Sequence, residues 1–78
     1  MHVLIIGAAG MVGRKLAQRL SNDGALDGKP VEAMTLVDVV TPDAPAGFAG
    51  RVALETADLS APGAAEKLIA SRPDVIFH

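Results

Sequence analysis

Val3-Leu4-Ile5-Ile6-Gly7-Ala8-Ala9-Gly10-Met11-Val12-Gly13 joins two different periodicities, and the fold follows from that join. Val3 to Ile6 is a continuous apolar run without alternation, rich in β-branched side chains. Such a run suits a strand covered on both faces, as in a parallel sheet. Gly7 halts it. From Gly10 to about Asn22 the period becomes that of a helix: Val12, Leu16 and Leu20 recur every four residues, with Gly13 and Ala17 beside them. Arg14, Lys15, Gln18 and Arg19 take the opposite side, giving an amphipathic helix whose Leu/Val stripe is predicted to be core.

Working outward, Ser21 to Pro30 holds Gly24, Gly28 and Pro30 and reads as a turn region. Ala33-Met34-Thr35-Leu36-Val37 is a second strand that ends at Asp38. Thr41 to Gly50 is rich in Pro and Gly and reads as loop, with Phe48 pinning it to the body. A third strand covers roughly Arg51 to Thr56. Ser60 is the expected N-cap of a second helix, with Pro62 in its first turn and Ala64, Ala65, Leu68 and Ile69 as its apolar stripe. Pro73 stops that helix, and Val75-Ile76-Phe77 is a fourth strand.

The order β-α-β-loop-β-α-β implies an α/β fold: the N-terminal half of a Rossmann-type doubly wound parallel sheet, with right-handed crossovers and spatial strand order 3-2-1-4. The fourth strand then stands at an edge with no helix after it, which natural domains avoid. Residues 1–78 are therefore expected to be the N-terminal part of a nucleotide-binding domain, with the remainder and a substrate domain lying beyond His78.

Half of the residues are apolar, but the aromatics number two Phe with no Trp or Tyr, so the core is built from Val, Ile, Leu, Ala and Met. The net charge of -2 comes without any basic cluster beyond Arg14-Lys15, which argues against nucleic acid as a partner. Cysteine is absent, which rules out disulfides and thiolate metal sites. No run is long enough for a signal or membrane-spanning segment, so a cytoplasmic protein without membrane contact is expected.

A glycine turn between a first strand and a first helix is the setting that the dinucleotide fingerprint requires. Gly7 permits the tight exit from the strand, Gly10 lets bare backbone approach a pyrophosphate, and Gly13 lets the helix close on the sheet. The free N–H groups near Met11 and Val12 point at the anion, aided by the helix dipole. The competing account is a turn that serves packing alone. A P-loop is not supported, because Gly13 is followed by Arg14-Lys15 rather than Lys-Ser/Thr. Asp38 ends the second strand some 25 residues after Gly13. A carboxylate there accepts hydrogen bonds from the adenosine ribose and repels a 2′-phosphate, so NAD is the expected cofactor rather than NADP. No Arg follows Asp38; Val39 and Val40 do, which suits adenine packing. Asp58 either accepts from the adenine amino group, with Leu59 covering the ring, or orders the turn before Ser60.

Gly-x-x-Gly-x-x-Gly at 7–13, Asp38, Asp58-Leu59 and Asp74-Val75-Ile76-Phe77-His78 together resemble the extended short-chain dehydrogenase/reductase family, which includes NAD-dependent epimerases and dehydratases. The resemblance covers essentially the whole chain. Within the family, the opening stretch with its long insert before the second strand looks most like the sugar-acid dehydrogenases. The resemblance implies pyrophosphate contacts from Gly7, Gly10, Met11 and Val12, ribose contact from Asp38, and adenine contacts from Asp58 and Leu59. It implies an oxidoreductase acting on a small sugar acid, homodimeric at full length. The alternatives are a nucleotide-sugar epimerase or dehydratase and a non-catalytic dinucleotide sensor. The family's Ser/Thr and Tyr-x-x-x-Lys catalytic residues lie later than His78 in its pattern, and this chain contains no Tyr. No catalytic residue is therefore assigned. His2 and His78 have no carboxylates clustered near them in sequence, and no metal site is assigned either. Ser21, Ser60 and Ser71 lack a neighbouring base, so a hydrolytic nucleophile is not supported.

Overall fold

The computed structural model describes residues 1–78. In chain order the elements are β1 (His2–Ile6), α1 (Met11–Asp23), β2 (Ala25–Leu26), β3 (Lys29–Pro30), β4 (Ala33–Asp38), β5 (Arg51–Thr56), α2 (Ala64–Ala70) and β6 (Val75–Phe77). Four of the strands form one sheet in the order β5-β4-β1-β6, every pairing parallel. This is the 3-2-1-4 order expected from the sequence, with the last strand at an edge.

β1 is central because it is apolar at every position that must be covered. Val3, Leu4 and Ile5 are fully enclosed. Val3 pairs with Met34 on one side and Val75 on the other, and Ile5 with Leu36 and Phe77. Alternate residues then face opposite layers. Val3, Ile5, Met34 and Leu36 pack against Ala17 and Leu20 of α1, while Leu4 and Val37 pack against Leu68 of α2. Each such aliphatic side chain contributes about 1.5–3 kcal/mol on burial. The two ends of the chain are clasped where β1 meets β6: the His2 N–H donates to the Asp74 carboxylate (2.6 Å), and the Asp74 N–H donates to the His2 carbonyl (2.8 Å).

The structure corrects several local expectations. Val12 does not join the core stripe of α1; it is 80% exposed. It lies in the first turn of the helix, at the open carboxyl end of the sheet beside the glycine turn. Ser60 does not cap α2. Its N–H and hydroxyl both donate to Asp58 Oδ1, and the helix starts only at Ala64, after Gly63 in a left-handed conformation (φ 81°). Of the expected α2 stripe only Leu68 is buried, while Ala65 and Ile69 are exposed. The Ser21–Pro30 turn region is the end of α1 followed by a two-stranded hairpin. Asp27 and Gly28 at its tip have φ 52° and 78°, the left-handed pair that a tight hairpin turn of this hand requires. Its strands are too short for alternation to register in the sequence.

Residues 39–50 run as a strap alongside α1. Pro42 is fully buried and Phe48 packs on the main core cluster. Between them, the Gln18 side chain both donates to the Ala46 carbonyl and accepts from the Ala46 N–H, each at 3.0 Å, and Ser21 Oγ donates to the same carbonyl at 3.0 Å.

Candidate functional site

At the carboxyl end of the sheet, the exit from β1 is stitched to the end of β4. The Gly7 and Ala8 N–H groups both donate to the Val37 carbonyl (2.8 and 3.0 Å), and Gly7 makes the turn with φ 83°. The Asp38 carboxylate then takes the Ala9 N–H at Oδ2 (2.9 Å) and the Val39 N–H at Oδ1 (2.7 Å). Asp38 thus holds the glycine turn while remaining half-exposed. Each carboxylate oxygen keeps lone-pair capacity for a further donor.

The three glycines differ in what demands them. Gly7 is required by its positive φ. Gly13 is required by packing, since a Cβ there would stand 2.8 Å from Ala8 Cα and closer still to the Gly7 carbonyl oxygen. Gly10 is required by neither. Its φ is -76° and ψ 168°, open to any residue. A Cβ there would meet only the Gly7 carbonyl, at 3.4 Å. Neither backbone strain nor a packing clash therefore accounts for glycine at position 10.

Gly10 lies at the start of α1. The first intrahelical bond is from the Arg14 N–H to the Gly10 carbonyl (2.9 Å), no side chain caps this end, and the first turn carries no acidic residue. The N–H groups of Met11, Val12 and Gly13 have no partner within the protein. Together with the helix dipole they form an anion-accepting end of about half a positive charge. Met11 and Val12 are 73% and 80% exposed, so the approach is open.

Beside this turn a cavity of about 300 Å³ opens between β1 and β6, lined by Gly7, Val12, Gly13, Phe77 and His78 among others. This is where the strand order reverses, the position at which open α/β sheets hold ligands. A larger hollow, about 450 Å³, lies at the opposite end of the sheet near His2, Thr35, Arg51 and Arg72. Its size does not make it the better candidate: it sits at the amino ends of the strands, and His2 Nε2 and Thr35 Oγ1 are occupied with each other at 2.6 Å.

Asp58 and Leu59 follow β5 at the same carboxyl edge. The two hydrogen bonds from Ser60 hold the Asp58 carboxyl below the ordinary aspartate value of 3.8, with a small opposing effect of burial. The geometry thus shows the turn-ordering role directly. Leu59 is partly buried against the Leu4–Val37–Leu68 cluster. Val39 and Val40 stand exposed next to Asp38 (65% and 61%). Neither the bond between Ala9 and Asp38 nor the clasp between Gln18 and Ala46 is signalled in the sequence, because each joins segments far apart in the chain without a local pattern. No three His, Cys, Asp or Glu residues come together as a metal site would require. No helix is long and apolar enough to cross a membrane.

Residues 3–78 match the NAD dependent epimerase/dehydratase family. The chain belongs to this family. NAD is the cofactor that membership brings, and the bare backbone at Gly10 over unpaired helix N–H groups fits its pyrophosphate. The chain is 42% identical to the D-erythronate dehydrogenase of Cupriavidus necator over 83 aligned positions, covering 100% of this chain and 25% of that protein. The crystal structure of a nucleoside-diphosphate-sugar epimerase from Agrobacterium tumefaciens superposes with a TM-score of 0.97 at 70% identity, covering 100% of this chain and 23% of that one. The chain therefore spans about a quarter of the length of either relative.

Proposed function

We propose that these residues are the cofactor-holding, N-terminal part of an NAD-dependent dehydrogenase that oxidises a hydroxyl of a small sugar acid such as D-erythronate. The observation that carries the cofactor half of this reading is Gly10: a glycine that neither φ nor packing requires, next to three helix N–H groups without partners. Gly7, Gly10, Met11 and Val12 would hold the pyrophosphate through backbone. Asp38 would accept from the ribose hydroxyls while keeping its bond to Ala9. Asp58, through the oxygen that Ser60 leaves free, and Leu59, through its exposed part, would border the adenine. When bound, NAD supplies the hydride acceptor. This chain's own residues bind and orient it, and the acid/base group belongs to residues outside 1–78.

The substrate half rests on likeness to D-erythronate dehydrogenase. The higher identity to a protein named as a nucleoside-diphosphate-sugar epimerase favours a second reading, in which the hydride is returned to the sugar. One experiment separates them in the intact protein. Absorbance at the NADH band is followed with NAD plus D-erythronate, and the epimer ratio of a nucleoside-diphosphate sugar is followed in parallel. Net NADH supports the dehydrogenase. Epimer interconversion without net NADH replaces it with the epimerase, and failure to bind NAD in calorimetry refutes both.

A further inference from the structure

Arg14 is the cation nearest the glycine turn in sequence, and it is not left free. Its guanidinium Nη2 lies 3.9 Å from Asp43 Oδ2, on the strap that follows β4. Both side chains are largely exposed, so an isolated pair of this kind would contribute little. The strap, however, is fixed by other means. Pro42, immediately before Asp43, is fully buried, and Gln18 and Ser21 hold Ala46 with three hydrogen bonds. The backbone that carries Asp43 is therefore fixed without depending on the ion pair with Arg14.

The position matters because Arg14 and Asp38 flank one turn. The Arg14 N–H bonds the Gly10 carbonyl, and the Asp38 carboxylate bonds the Ala9 N–H. In a site that places the adenosine ribose at Asp38, a ribose 2′-phosphate needs a nearby arginine. Arg14, on the helix side facing the strap, is the arginine closest in sequence to that turn, and Asp43 is the carboxylate paired with it.

We propose that Asp43 is a specificity-determining residue: held by the strap, it neutralises Arg14 and denies a 2′-phosphorylated dinucleotide its cation. This rests on the cofactor reading above and adds a second source of discrimination to Asp38. Asp43 touches no part of NAD in this account; it acts through Arg14.

The test is a double-variant cycle in the intact protein, with NAD and NADP affinities measured by titration calorimetry for the unaltered protein, Asp43→Asn, Arg14→Ala and the two combined. The quantity read is the ratio of NADP to NAD affinity. Asp43→Asn is expected to raise it about three- to tenfold, between the value of an exposed ion pair and that of a charged hydrogen bond. Adding Arg14→Ala is expected to abolish the gain. A strap that merely supports the fold would weaken both nucleotides alike and leave the ratio unmoved. An unmoved ratio, or a gain that survives loss of Arg14, overturns the proposal while leaving NAD binding intact. Failure of the unaltered protein to bind either nucleotide overturns the cofactor reading itself, and this proposal with it.

Discussion

Alanine substitutions at Gly13 and Gly10 separate two requirements that the motif places three residues apart. At Gly13 the new methyl meets backbone on two sides, Ala8 Cα at 2.8 Å and the nearer Gly7 carbonyl oxygen, and neither can swing away as a side chain would. Relief requires α1 to lift from β1, loosening Ala17 and Leu20 from the main cluster. Overpacking of this kind costs about 1–3 kcal/mol. For a chain of 78 residues, folding stability is roughly 4–12 kcal/mol in all. The expected fall in Tm is on the order of 10 °C. At Gly10 the methyl meets one atom at the edge of ordinary contact, in a backbone conformation any residue adopts, so Tm should change by no more than about 3 °C. The same methyl would fill the space assigned to the pyrophosphate, so NAD affinity should fall at least about tenfold. Thermal unfolding followed by circular dichroism, with calorimetric NAD titration, reads both quantities. A Gly13→Ala protein as stable as the parent, or a Gly10→Ala protein that binds NAD undiminished, would refute the assignment of the two glycines.

Asp38→Ala should weaken NAD binding about tenfold to a hundredfold and narrow the preference over NADP; unchanged preference in titration calorimetry contradicts its ribose role. The Asp58 carboxyl should titrate below 3.8 by carbon-detected NMR, and Ser60→Ala should move it back up. Because its folded value is depressed, the turn is fully stabilised above the ordinary aspartate range and loses that support as pH falls through the lowered value; an ordinary midpoint in the parent counts against the Ser60 bonds. As an isolated polypeptide the chain should self-associate through the edge of β6, where Ile76 is 44% exposed, and Ile76→Lys should shift it toward monomer in sedimentation velocity. A monomeric parent at high concentration would dispose of that idea.

Most of the sheet was legible because β1, β4 and β6 are short, largely apolar runs without strict alternation, a pattern that suits strands of a parallel sheet. The glycine turn was legible because its place between a strand and a helix narrows its meaning. What escaped was decided by surroundings rather than by pattern. Val12 has the right spacing for the core but lies in the first turn of α1, beyond the layers that bury Ala17 and Leu20. Ser60 has the right chemistry for a cap, but Asp58, two residues before it, competes for the same hydrogen bonds and wins. Ile69 has the spacing of the apolar stripe, yet in α2 only Leu68 turns into the layer under the sheet. At the site, the position of Asp38 could be read, whereas its bond to Ala9 depends on how two segments meet in space.

The clasp between His2 and Asp74 also bears on how the polypeptide is made. The central strand is synthesised before both of its neighbours, and one of them follows only at residues 75–77. Until then one flank of β1 carries unmet amide and carbonyl groups, and no local contact can substitute for the distant partner. The nascent chain should thus collapse in two stages, β1 with α1 and β4 and then β6. The interval between them is when chaperone binding is most needed.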